Sequence, residues 1–128
     1  MPVNKKDNIP EHYGKKLKAS FQPTELLMAA LCNKWVVKVL FALEENDDEP
    51  MRFSEISKAI DSTSDKMMNK ALKVLEESYE LIKRKTIDGK PRYSLTSNGR
   101  SLLEVLHNLE TWVDEHKRDF ARIKAGIK

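Results

Sequence analysis

The chain of 128 residues has one cysteine, few aromatic residues, four glycines and no long apolar run. With Cys32 as the only cysteine, no disulfide can form within the chain, and a reducing compartment is the expected setting. No segment approaches the roughly 18 consecutive apolar residues that argue for a membrane span, so no membrane partner is expected. The opening stretch, MPVNKKDNIP, lacks the apolar core of a secretory signal. Together these absences point to the cytoplasm. Histidine is scarce as well. His12, His107 and His116 lie far apart and without metal-ligand spacing, so no metal is expected. There is no phosphate-cradling glycine loop and no nucleophile elbow. Glu44-Glu45 and Glu76-Glu77 are adjacent pairs whose side chains diverge on a helix, so they make no paired-carboxylate site. Neither an enzymatic activity nor a cofactor is expected.

What is present is charge, unevenly placed. Lysine and arginine number 23 against 20 acids, a net charge of only +3. Glu44, Glu45, Asp47, Asp48 and Glu49 form an acidic cluster, whereas Lys83, Arg84, Lys85, Lys90 and Arg92 crowd around a single Asp88-Gly89. A basic surface facing one way suits a polyanionic partner. The length suits one domain with one modest core.

Residues 1–20 read as a basic N-terminal tail, made basic by Lys5, Lys6, Lys15, Lys16 and Lys18 and better suited to solubility than to a DNA arm. The folded domain is expected over residues 21–128. Pro23 fits the first turn of a helix that carries Leu26, Leu27, Ala30 and Leu31 on one stripe. A break near Asn33 precedes a second helix with Trp35, Val36, Val39, Leu40 and Leu43. After an acidic loop, FSEISKAI is a short amphipathic helix, capped by Ser54 with Phe53 packing back as a staple. DSTS then supplies a turn, and Ser62 or Ser64 caps the next helix. On that helix, about 64–79, Met68, Leu72, Leu75 and Tyr79 share a buried face. Lys66, Asn69, Lys70 and Lys73 share a different one, polar and cationic.

Asp-Gly between two short strands signals a two-residue hairpin turn. Such a turn sets Ile82 opposite Leu95, Arg84 opposite Tyr93 and Lys85 opposite Arg92. Like charges directly opposite each other weaken a ladder, so an external anion is expected to neutralise the last pair. A long helix over about 97–124, opened by Ser97 or Asn98, carries a stripe from Leu102 through Val105, Leu106, Leu109, Trp112, Val113, His116 and Phe120 to Ile123. One small domain cannot cover so long a stripe, which calls for a second chain.

The order of elements predicts a mainly α fold with a small β-hairpin, the winged helix-turn-helix. Its second helix enters the major groove of double-stranded DNA. The candidate contacts there are Ser64 at the helix start, Lys66, Asn69, Lys70 and Lys73. Asn69 can pair with adenine through two hydrogen bonds, and the lysines with guanine or phosphate. The wing, about 81–96, offers Lys83, Arg84, Lys85, Lys90 and Arg92 to the backbone or minor groove, where they position more than they specify. Arg84 and Arg92 are also open to a bracing role, stacked on Tyr93 or paired with an acid. The alternative for the whole chain is a winged-helix module that binds protein without specific DNA recognition.

NKW followed by VVKVLFAL, then RFSEIS, LKVLEE and RYSLTSNGRSLLEVLHNLETW resembles the HxlR family of bacterial transcription regulators, within the MarR-like winged helix superfamily. The resemblance runs from about Gln22 to His116. It implies a homodimer whose N- and C-terminal helices build the interface, here Leu26, Leu27, Leu102, Leu106, Leu109, Trp112, Val113, His116 and Phe120. It implies a near-palindromic operator, with repression as the default because blocking a promoter needs no polymerase contact. A small-molecule effector stays open, with no residue marking it. Three departures matter. Many members carry a Cys-Pro pair, whose thiol in some of them senses oxidants or electrophiles, where this chain has Gln22-Pro23, so such sensing is not expected. Cys32 falls where the family has glycine and reads as a small core residue. EESYEL lacks the family's glycine after the recognition helix and is one residue longer, and the wing is shorter than usual.

Overall fold

Helix α1 spans Glu11–Leu31 and belongs to a unit of its own, residues 1–34, while residues 35–128 form a second unit. The structure, a computed structural model, describes residues 11–46, 49–62 and 64–127, with side chains between residues 21 and 122. The first ten residues of the basic tail, the five tail lysine side chains, Asp47, Asp48, Thr63 and the Ile123 side chain lie outside the described residues. Pro23 lies well inside α1 instead of in its first turn, because helical backbone continues upstream to Glu11. A proline there forgoes one ladder hydrogen bond. The helix ends as the Cys32 N–H reaches the Met28 carbonyl at 3.1 Å and the Asn33 N–H reaches that of Ala30 at 3.1 Å. Cys32 is exposed, contrary to the core position expected for it, because it lies in this turn just past the last residue of α1.

From its second residue on, α2 (Lys34–Glu45) belongs to the second unit, and it buries Val36, Val39, Leu40 and Leu43, the stripe that helical spacing marks out. A two-residue strand, β1 (Met51–Arg52), leads straight into α3 (Phe53–Ala59). The expected Ser54 cap is therefore displaced. Phe53 is already helical, the cap position falls on Arg52, and the Glu55 carboxylate accepts the Arg52 N–H at 2.8 Å. Ile56 and Ile60 are buried and Phe53 half-buried.

The turn after α3 is built from backbone. Asp61 adopts a left-handed φ of 55°. The Asp61 N–H then donates to the Lys58 carbonyl at 3.3 Å, and the Ser62 N–H to that of Ser57 at 2.9 Å. This pair of bonds closes a helix around a left-handed residue. Ser64 opens α4 (Asp65–Lys73), its Oγ accepting the Met67 N–H at 3.2 Å. Of the two serines that could cap, Ser64 is the one that does.

α4 runs into a π-helical turn, Val74–Ser78. A π turn accommodates an extra residue inside a helix, and it coincides with the longer EESYEL segment. Glu80 follows with φ 51°, a left-handed conformation that glycine adopts more easily. Strands β2 (Ile82–Ile87) and β3 (Lys90–Leu95) then form the hairpin. Asp88 and Gly89 both have positive φ, 54° and 76°, which gives the turn the right twist for a two-residue loop. Ile82 pairs with Leu95, Arg84 with Tyr93 and Lys85 with Arg92, the register that the turn dictates. β1 adds to the other edge of β3, giving the order β1-β3-β2. Met51, Tyr93, Leu95 and Ile82 are buried on the inner face.

α5 (Ser97–Ile127) completes the chain. Its cap is Thr96, not Ser97 or Asn98: Thr96 Oγ1 accepts the Gly99 N–H at 3.0 Å and donates to the Glu80 carbonyl at 2.6 Å. Among the described residues, no single helix is long and apolar enough to cross a membrane.

Candidate nucleic-acid interface

At 3.6 residues per turn, Lys66, Asn69, Lys70 and Lys73 fall within an arc of about 100° on α4. All four are exposed, and Met68, Ala71 and Leu72 on the other side are buried. The burial of the apolar face orients the cationic face outward. Lys70 and Lys73 stand in the last turn, where the helix dipole favours cations. Ser64 spends its hydroxyl on the cap.

The hairpin sorts its five cations by strand alternation. Lys83, Lys85, Lys90 and Arg92 belong to the face opposite the buried Ile82, Tyr93 and Leu95. Arg84 belongs to the other face and reaches back to the π turn after α4, its Nε 3.6 Å from Glu76 Oε2. It braces the wing against the helix, one of the two roles open to it from sequence.

A further cation joins this set. Arg52 pairs with Arg92 across β1 and β3, so Arg52, Arg92 and Lys85 form one row across all three strands. The Nε atoms of Arg52 and Arg92 are buried without a hydrogen-bond partner. Unsatisfied buried donors are uncommon in folded chains. Two of them in one cationic row leave donors and charge for an incoming anion. Arg52 escaped the sequence reading because a two-residue strand carries no periodicity.

The apolar stripe of α5 is open. Val105, Leu109 and Trp112 are 59%, 55% and 49% exposed, and Val113 and Phe120 are exposed too. Leu102, Leu106 and His116 are half-buried. His116 stacks on Trp112 at 4.3 Å between ring centroids, its Nδ1 donating to the Trp112 carbonyl at 2.8 Å, and Phe120 extends the ladder at 5.6 Å. On α1, Leu26 is exposed and Leu27 half-buried. Among the described residues, no group of histidine, cysteine and acids is placed to hold a metal.

Comparisons with known proteins agree with this geometry. The HxlR-like helix-turn-helix family model matches residues 30–120. The HTH-type transcriptional regulator BH0655 of Halalkalibacterium halodurans is 31% identical over 108 residues, 82% of this chain and 93% of its own length. Two solved structures of the transcriptional regulator YodB from Bacillus subtilis, one of the reduced form and one diamide-treated, superpose with TM-scores of 0.64 and 0.62 at 30% identity. Each covers 73% of this chain, and the chain covers 91% and 92% of them. With its winged helix built as described, the chain belongs to the HxlR-like helix-turn-helix family and is a DNA-binding transcription regulator, not an enzyme.

Proposed function

We propose that the protein is a repressor that binds a near-palindromic operator as a homodimer in the cytoplasm. The observation that carries this reading is the two-faced α4, with Lys66, Asn69, Lys70 and Lys73 exposed over a buried Met68 and Leu72. Set in the major groove, Asn69 presents an amide that pairs with adenine, and the lysines reach guanine or phosphate. Lys83, Lys85, Lys90 and Arg92, with Arg52 beside them, meet backbone phosphates and hold the register.

A second copy of the chain covers the open stripe of α5, from Leu102 to Phe120, together with Leu26 and Leu27 of α1. Exposure of Leu109, Trp112 and Phe120 supports this, since an uncovered apolar stripe of that length is unfavourable in water. A two-fold pair of α4 helices reads half-sites about 34 Å apart, one turn of duplex. Occupying a promoter in this way blocks polymerase without further contacts.

Selection from a random duplex library at near-physiological salt tests the reading. An inverted-repeat motif is expected, and transcription from a promoter carrying it falls when protein is added. Recovery of no motif, with only weak salt-sensitive binding, would contradict specific recognition. A rise in transcription would replace repression with activation.

A further inference from the structure

His107 lies one turn beyond the buried Leu103 on α5, on the side of that helix that meets α2. Its ring stands edge-on to Phe41 of α2, with centroids 5.4 Å apart. His107 Nε2 is 2.8 and 2.9 Å from the two carboxylate oxygens of Glu44, also on α2. His107 Nδ1 is 2.8 Å from Glu110 Oε1 on its own helix. A neutral imidazole has one N–H, and its other nitrogen is a lone pair that a carboxylate repels. Only the imidazolium donates to both acids. The geometry therefore selects the protonated ring.

The surroundings favour the same state. His107 borders an open cleft of about 550 Å³, whose other charged residues are Lys38, Glu44 and Glu45 from α2, Asp61 after α3, and Glu110 from α5. Four carboxylates thus face one ammonium, and a proton on His107 offsets part of the imbalance. The hydrogen bond that His107 donates to Glu44, then the one it donates to Glu110, holds its pKa above the ordinary imidazole value, with desolvation acting the other way. A raised value means that the tie is complete below about pH 6.5, the ordinary imidazole pKa, and is lost as pH rises through the raised one.

We infer that His107 is a positioning residue: protonated, it fastens α5 to α2, and its deprotonation loosens that tie and lowers operator affinity. The cleft also includes Ala59 and Ile60, the end of α3, so the tie sits where α5 meets the helix-turn-helix. This rests on the operator-binding dimer proposed above, in which α5 sets the spacing of the two α4 helices. A looser α5 spreads the population over spacings that miss the half-sites.

Two measurements on the full chain test this. In the first, imidazole NMR follows the histidines through a pH titration, with His107 assigned from the signal missing in His107→Gln. Its midpoint is expected above the ordinary value, moving down toward it in Glu44→Gln. A midpoint at or below the ordinary value, or one indifferent to Glu44→Gln, would overturn the tie. In the second, affinity for the selected duplex is measured between pH 6 and 9 at fixed ionic strength. The wild type is expected to lose roughly five-fold. His107→Gln is expected to be weaker at pH 6 and flat, and His107→Arg, permanently charged, to keep its affinity at pH 9. A wild-type profile reproduced by His107→Gln would overturn the coupling to DNA. If the wild type binds no duplex specifically at any pH, operator recognition itself fails, and the ring titration still decides the tie.

Discussion

Gly99 lies so close to the Leu81 backbone that any Cβ at this position would overlap the Leu81 carbonyl oxygen, with Leu95 Cδ2 a further 3.2 Å neighbour. That carbonyl already accepts the Thr96 N–H at 3.1 Å, so it is pinned and cannot yield. Threonine at 96 and glycine at 99 together lock the first turn of α5 onto the entry to β2. Gly99→Ala is expected to lower stability by about 2–3 kcal/mol in urea denaturation, through a forced backbone shift. Gly89 makes a useful contrast, because open space surrounds it and only its φ of 76° disfavours a side chain. Gly89→Ala should lose about 1 kcal/mol. A loss at Gly99 no larger than at Gly89 would contradict the close approach.

The row of Arg52, Arg92 and Lys85 makes a prediction about salt. Each phosphate contact adds about 0.9 to the slope of log affinity against log salt. Replacing Lys85 and Arg92 with alanine should flatten that slope by about 2 while leaving the fold intact, since it removes a like-charge cross-strand pair. An unchanged slope would remove the wing from the contact set.

Trp112 contacts both other rings of the aromatic cluster on α5, His116 at 4.3 Å and Phe120 at 5.6 Å between centroids. A carboxylate in the middle of an apolar interface is strongly unfavourable without a partner. Trp112→Asp is expected to sediment as a monomer with unchanged helix content, because this side chain is half exposed and contributes little to the core. A persistent dimer would move the interface elsewhere.

The sequence carried the features that depend on short-range rules. Asp88-Gly89 dictated the turn type, and the turn dictated every cross-strand pair of the hairpin. Period 3.6 separated Met68 and Leu72 from Lys66 and Lys70 on α4. The misses have physical causes of their own. β1 is two residues long and forms only because β3 offers it an edge, so Arg52 was invisible as a partner of Arg92. Thr96 caps α5 because its hydroxyl also reaches Glu80 across the chain, a tertiary contact that propensity does not encode. Arg84 faces Glu76 because the hairpin folds back on the π turn. The contact of His107 with Glu44 spans 63 positions and follows from the packing of α5 on α2.

If the exposed face of α4 reads base sequence, Lys70 is the residue that shows it. Affinities of wild type and Lys70→Ala are compared on the selected duplex and on a scrambled one at the same salt. A base contact is worth about 1–3 kcal/mol of discrimination. Lys70→Ala is expected to lose affinity mainly for the selected duplex, so that the ratio between the two DNAs narrows about ten-fold. Equal losses on both duplexes would mean that Lys70 meets only phosphate, and that α4 does not read the operator through this face.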